Sequence, residues 1–450
     1  MQNYTQRAQV AIIGAGFSGT MAAVQLARRG IDIVLVGRGT QAGMGVAYST
    51  EDAAHLLNIP AAKMSAWPDR PDDFVDAIAE EGFGPEDYVP RMLFGRYLRR
   101  ILDESAVPLV EREAVAVARS ADGWTVRLDD GRTIEAAALV LALGNQPPDA
   151  LLFARELPER LFANDPWGAA GQEAIAAAVA SAAVKAGGGD VLVVGSGLSM
   201  IDVALSLDAA GHKGKLVAVS RRGQMPRVSR PLRREVPSSD SAPSGSLAEL
   251  WHWVRQRTNV IEWRDAVDSV RPRTHELWQS LSEIDQRRFM RHARPWWDVH
   301  RHRIAPQAGA IVERMINSGR MEVIGGRIRS LREMDGGIEA VLRRRGAPDA
   351  DAPRQFAVGI NCTGPLHAIR HTSDGVLRSL LDSGLAAPDR LGIGLAVDDE
   401  VRVIGAERLW AMGTLGKARY WEIIAVPDIR VQAEMVADAI ARELNDDVQS

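Results

Sequence analysis

The sequence predicts an α/β fold made of two similar halves, and three observations carry the prediction. The stretch "AIIGAGFSGTMAAVQL", beginning at Ala11, reads as a buried strand, a glycine turn and the start of a helix. "VVGSGLSMIDVAL", beginning at Val193, reads the same way. Each half then runs through the same succession of elements and closes on an apolar strand that ends in glycine: "ALVLALGN" at Gly144 and "FAVGINCTG" at Gly364. Such self-similarity within one chain is a signature of duplicated architecture.

The elements follow in order. In the first half a helix to about Arg29 leads to the strand "IDIVLV" at 31–36, then to the alternating segments "AVAVAR" and "WTVRL" joined by the turn "SADG". In the second half a helix to about Ala210 leads to the strand "KLVAVS" at 215–220, then to "RIRSLREM" and "IEAVLRRR" joined by "DGG". Gly14 and Gly144 are 130 positions apart, whereas Gly195 and Gly364 are 169 apart. The second copy therefore carries an insertion, placed at 236–305. It opens on "PSSDSAPSGS", read as a flexible loop, and continues in helix-like, tryptophan-rich segments. A tail follows Gly364 and ends in a helix at about 426–444, so the chain is expected to return and complete the first domain. The expected domains are 1–165, then 166–360 with the insertion, then the returning segment 361–450.

The glycine spacing assigns a ligand class. In a G-x-G-x-x-G turn the first glycine permits the turn, the second lets a pyrophosphate approach the backbone, and the third lets helix and strand pack closely. The helix N-terminus then offers unpaired N–H groups to phosphate. Gly14, Gly16 and Gly19 meet the pattern in full; the second turn has Gly195, Gly197 and Ser199, but Met200 in third place. The expected fold is thus two Rossmann-like dinucleotide-binding domains of the three-layer ββα type, with a helical insertion in the second. The usual ribose-binding acid about twenty positions on is missing from the first copy, where Gly37 and Arg38 stand; ribose contacts are expected from backbone groups or Arg38. The second copy has Ser220, Arg221 and Arg222 there. Paired guanidinium groups suit the 2′-phosphate of NADP; a solvated basic pair is the alternative.

Composition narrows the class. With 46% hydrophobic and 25% charged residues the chain is ordinary globular material, and a net charge of −4 gives no reason to expect nucleic acid or an anionic membrane as partner. No apolar run is long enough to span a bilayer, and no signal peptide is expected ahead of the first strand. The single cysteine, Cys362, excludes an internal disulfide or a dithiol pair within one chain and suggests a cytoplasmic address.

Taken together, "GMGVAYST", "HLLNIPAAKMSAWP", "NDPW", "GSGLSMIDVALSL", "SRRGQMPR", "RFMRHARPWWDVHRHRIAP", "INCTGP" and "RYWEIIAVPDIRVQA" span nearly the whole chain. On these segments the chain resembles a bacterial FAD/NAD(P)-binding oxidoreductase family related to the NADPH-dependent flavin monooxygenases and N-hydroxylases. The resemblance implies FAD in the first domain and NADPH in the second. It makes Asn58, Met64 and Ser65 candidates for contacts near the flavin ring. Gly144, after Leu143, resembles the A-T-G turn of flavoproteins, and Thr363 with Gly364 resembles it in the other half. Gly413, Thr414 and Trp421 lie where such proteins return beside the isoalloxazine. Some relatives oxidise amino groups of amino acids with O2.

Six of the eleven tryptophans lie in 251–297, beside Arg294, His300, Arg301, His302 and Arg303. Aromatics with cations suit a pocket for an anionic group, and Trp296, Trp297, Arg301 and His302 are the substrate candidates. The alternative is a set of helices capping the second domain, with tryptophans as core and arginines as solvated face. His300-x-His302 lacks the further ligands of a zinc site, so no metal is expected. The expected activity is an FAD- and NADPH-dependent monooxygenase, forming a flavin C4a-hydroperoxide and oxygenating a small amine-type substrate with O2. Two alternatives stand beside it: an electron-transfer reductase without oxygenation, and a non-enzymatic redox sensor or scaffold. No protein acid or base is singled out.

Overall fold

The computed structural model describes residues 5–38, 41–184, 189–230, 241–347, 349 and 351–449. Residues 237–240 of the polar linker lie outside the described residues. Among the described residues there are fourteen strands: β1 Thr5–Ile13, β2 Ile33–Val36, β3 Leu109–Val110, β4 Ala114–Ser120, β5 Gly123–Leu128, β6 Thr133–Leu141, β7 Phe162–Ala163, β8 Val191–Val194, β9 Leu216–Ser220, β10 Met321–Met334, β11 Gly337–Arg344, β12 Arg354–Phe356, β13 Val358–Asn361 and β14 Leu409–Ala411.

They form two sheets. The first has the order β3-β2-β1-β6-β5-β4, with β14 also paired to β6. The second has the order β12-β11-β10-β9-β8-β13-β7. At the heart of each lies the same parallel quartet, β3-β2-β1-β6 and β10-β9-β8-β13. The central strands read as continuous apolar runs because both faces are covered. Val10, Ala11 and Ile12 are fully buried, as are Val191, Leu192 and Val193.

Two features depart from the linear reading. "FAVGINCTG" is not one strand: the chain changes partner at Ala357, so Phe356 pairs antiparallel with Ile338 while Val358–Asn361 runs parallel to β8. The short β7 belongs to the second sheet, through β13. The tail does return to the first sheet: β14 lies parallel to the end of β6, and helix Val426–Gln449 packs on helix Phe17–Arg28, where Arg29 pairs with Asp438 at 2.6 Å.

The insertion folds as short helices from Leu247–Arg257 to Arg294–Arg301. Its core of Val270, Leu277, Trp278, Phe289 and Trp297 closes against Trp421 and Leu391 of the returning segment. The insertion thus spans from the second domain onto the first. Among the described residues no helix is long and apolar enough to cross a membrane.

Candidate functional site

Each glycine turn sits at the C-terminal end of its sheet's central strand, where α/β sheets bind ligands. Gly14 has φ +105° and Gly195 has φ +116°. A Cβ at Gly14 would lie 2.3 Å from the Ala142 carbonyl oxygen, and one at Gly195 2.2 Å from that of Cys362. The two turns are therefore built alike, each wedged against the strand end that closes its half. A Cβ at Gly197 would meet no protein atom within 4 Å. Packing does not demand glycine there, and the space it leaves opens on a cavity. Helices Phe17–Arg28 and Leu198–Ala209 start at these turns without a side-chain cap, so their first N–H groups face the same space unpaired.

That cavity is continuous and has a volume of about 2240 Å³. Gly14, Gly16, Asn58, Met64, Gly144, Gly195, Gly197, Ser199, Ser220, Arg221, Thr363, Gly364, Thr414 and Trp421 all line it, as do Arg38, Arg301 and His302. Thr414 donates to the Gly144 carbonyl at 2.7 Å, which ties the returning segment to the "LALGN" turn. The Trp421 ring stacks on Trp278 with centroids 4.8 Å apart. Its buried indole N–H has no acceptor among the described residues and is available to a ligand.

Several candidates lie elsewhere. Gly19 is a packing residue: a Cβ there would lie 1.8 Å from the Gly14 oxygen. Ser65 is buried behind the cavity wall, where its hydroxyl donates to the Arg70 carbonyl at 2.6 Å. Gly413 also stands behind the wall, its N–H given to Gln432 at 2.7 Å. Arg222 does not line the cavity; its guanidinium lies over the ring of Trp296, 5.8 Å from the centroid. Neither Trp296 nor Trp297 reaches the cavity. Trp296 is 43% exposed, and Trp297 is buried in the insertion's own core with its N–H on Glu422 at 2.5 Å.

Residues that the spacing did not indicate complete the walls. A side chain at position 37 is sterically barred, since a Cβ on Gly37 would sit 2.2 Å from that of Ala15. A carboxylate reaches this place instead from the short connection between β3 and β4. Because β3 runs beside β2, Glu113 arrives at the same edge and pairs with Arg38 at 2.5 Å, and both line the cavity. Over the top, Glu422 accepts from Arg301 at 2.9 Å, both side chains being almost wholly buried. Glu422 has φ +68°, a conformation that costs a non-glycine residue of order 1–3 kcal/mol. Burial opposes its charge, but Arg301, His302 and the Trp297 N–H outweigh that and hold its carboxyl below the usual range. Arg303–Asp268 at 2.6 Å and Arg271–Asp428 at 3.4 Å extend this layer of paired charges. Burial keeps His275 and His302 below the ordinary histidine range. Lys63 and Lys417 face the cavity without a hydrogen bond or ion pair among the described residues, and burial lowers both; Lys417 falls to about 8.

The two turns are also held together. Arg91, on the first domain, pairs with the buried Asp202 at 3.0 Å. Ser206 donates to Asp52 at 2.5 Å, and His55 Nε2 lies 2.8 Å from the same hydroxyl. Both Asp202 and Ser206 belong to the helix that starts at the second turn.

A family model described as FAD-NAD(P)-binding matches residues 11–146. Residues 11–146 are an FAD–NAD(P)-binding domain. The match runs from β1 to just past Gly144, so it contains the whole first turn and the strand end against which Gly14 is wedged. No curated protein sequence matches the chain significantly. Among solved structures, the chain is similar to an ornithine N-hydroxylase from Kutzneria sp. 744, captured with reduced FAD, NADP⁺ and L-ornithine, at TM-score 0.70 and 14% identity over 97% of this chain and 100% of that one. It is similar to L-lysine 6-monooxygenase from Pseudomonas syringae at TM-score 0.66 and 15% identity, covering 97% and 99%. A bacillithiol disulfide reductase from Staphylococcus aureus follows at TM-score 0.61 and 14% identity, again covering 97% and 99%. These likenesses establish the shared two-domain fold over nearly the whole chain.

Proposed function

We propose that the protein is an FAD-dependent NADPH oxidoreductase that uses O2 to oxygenate a small amine-type substrate. The observation that carries this reading is the single cavity joining both glycine turns beneath a roof of buried ion pairs. FAD belongs on the first turn, its pyrophosphate at Gly14–Ser18, its ribose by Arg38 and Glu113, and its ring near Asn58, Met64, Thr414 and Trp421. NADPH belongs on the second, with its pyrophosphate at Gly195–Ser199. When bound, FAD supplies hydride acceptance from NADPH and oxygen transfer to the substrate.

The chain's own residues supply binding, exclusion of water and proton handling. The insertion covers the cavity, and the charges Arg301, Arg303 and Arg271 that it brings there are matched by Glu422, Asp268 and Asp428, which offsets part of the cost of taking them out of water. The substrate fits between Lys63 of the first domain and His275, Arg301 and His302 of the roof. An attacking amine must be unprotonated, and the burial that lowers Lys63 and Lys417 acts in the same sense on a substrate ammonium held beside them. A dithiol relay has no support, because the only cysteine is buried and burial raises its thiol far above the usual range.

A second reading, a reductase serving a docked electron acceptor, is favoured by one observation. Leu152 and Phe153 are exposed apolar residues, and Phe153 stands on the cavity rim. One experiment separates the two. FAD-loaded protein is given NADPH and air with a panel of small amines and amino acids, while NADPH loss, peroxide and oxygenated product are measured. Oxygenated product in proportion to NADPH consumed supports the proposal. NADPH loss recovered only as peroxide, with rapid turnover on quinone or ferricyanide, contradicts it and supports the reductase.

A further inference from the structure

The second strand end carries three polar residues in a row, but their side chains do not act together. The Ser220 hydroxyl accepts from the Gly223 N–H at 3.0 Å and from the Ser196 hydroxyl at 2.8 Å, so it staples the turn. Arg222 is drawn away over Trp296. Only Arg221 is left in the cavity, and a lone exposed guanidinium is a weak phosphate site.

The neighbouring strand supplies another. β9 and β10 run parallel with Ser220 opposite Gly325, so residue 326 emerges beside Arg221 at about one strand spacing, roughly 5 Å, and Arg327 is the next residue along. Gly326 and Arg327 both line the cavity. Across β10 and β11, Arg327 directly opposes Arg343. Like charges in that position destabilise a sheet, and among the described residues no carboxylate pairs with Arg221, Arg327 or Arg343. The adjacent Arg344, by contrast, is paired with Glu322 at 2.7 Å and with Asp351 at 3.2 Å. Arg221 and Arg327 thus face the cavity without a carboxylate partner among the described residues, with Arg343 behind them, and the cluster lacks only an anion.

We propose that Arg327 is a specificity-determining residue that joins Arg221 in holding the 2′-phosphate of NADPH, and that Arg222 lies outside that phosphate site. The inference rests on the assignment of NADPH to the second turn. Two guanidinium groups from neighbouring strands can chelate a phosphate dianion through charge-assisted hydrogen bonds, which a 2′-hydroxyl cannot exploit. NADH would therefore bind through the glycine turn alone.

The test is anaerobic reduction of the FAD-loaded protein by NADPH and by NADH, giving a Kd for each with wild type, Arg327→Met, Arg327→Lys and Arg222→Met. Arg327 is exposed, so its loss leaves the fold intact. The expected result is a rise of about tenfold in the NADPH Kd for Arg327→Met, an unchanged NADH Kd, partial rescue by Arg327→Lys, and little effect from Arg222→Met. If wild type prefers NADPH but Arg327→Met keeps the same preference, the inference is overturned and the NADPH assignment survives. If Arg222→Met abolishes the preference instead, the phosphate site is the contiguous pair and the inference is likewise overturned. If wild type takes both nucleotides equally, no 2′-phosphate site exists, and the assignment falls together with the inference.

Discussion

At Gly14 and at Gly195 the backbone does the same thing, yet five residues later the two turns part company. Gly19 lies so near the Gly14 oxygen that a Cβ would come within 1.8 Å of it. Met200, in the matching place, is fully buried in the second domain's core together with Val191, Val193 and Ala204. In the first copy the helix presses onto its strand, and the "GMG" loop presses on the turn in its turn, a Cβ on Gly45 coming 2.9 Å from the Gly16 Cα. In the second copy a long side chain fills the interval between helix and strand, and the turn's second glycine faces open space. Met200 thus records a different way of packing the helix, and the phosphate-facing part of the motif stays intact. A tightly wrapped turn suits a retained flavin, whereas an open one suits a nucleotide that comes and goes.

The difference breaks first at position three. Gly19→Ala is expected to destabilise the first domain by about 3 kcal/mol or more and to strip the flavin, because backbone must move. Met200→Gly is expected to cost about 3–5 kcal/mol through the cavity it leaves and the flexibility it adds. It should not tighten nucleotide binding. Urea unfolding and flavin content of the two variants check both statements. A Met200→Gly protein that is stable and binds NADPH more tightly would show that the third glycine had been missing for function.

The space between the copies comes next. Lys417 is lowered to about 8 from 10.5, first by burial and then by Arg294, with Asp389 opposing. Below pH 8 the lysine is charged in both folded and unfolded chains, and the folded state bears the full penalty. Between pH 8 and 10.5 the unfolded chain binds more protons than the folded one, so this penalty shrinks as pH rises. Lys417→Met should therefore stabilise the cofactor-free protein at pH 7 by up to about 3 kcal/mol, with the gain fading towards pH 10.5. Melting curves across that range read it out, and a gain that grew with pH would contradict the assignment.

The smallest effect is expected at the first ribose. Arg38 and Glu113 form an exposed pair, worth about 1 kcal/mol or less in stability. Glu113→Gln should leave melting unchanged and weaken FAD retention several-fold, measured by flavin release on dilution. No change in retention would place the ribose elsewhere.

What could be read in the chain was local. Gly14, Gly16, Gly195 and Gly197 lie within a few residues of a strand and a helix, so spacing alone reveals them. Glu113, Glu422 and Arg327 lie far in sequence from what they face, and only strand pairing or the return of the tail brings them in. The tryptophan-rich stretch misled for a related reason. Composition shows that aromatics and cations are neighbours, but not which face of the short helix each occupies. Trp297 and Arg301, four residues apart, share one face and both end on Glu422, while Trp296 turns outward beneath Arg222.

The most direct test of two turns with two jobs is an anaerobic NADPH titration of FAD-loaded wild type beside Gly195→Ala, following the flavin spectrum. A Cβ at 195 would strike the Cys362 oxygen, so only the second turn is deformed. The prediction is complete bleaching of wild type near one equivalent of NADPH. The variant should keep its full flavin content, yet require at least ten times more NADPH. A variant that loses flavin, or one that bleaches as wild type does, would contradict the division of labour between the two copies.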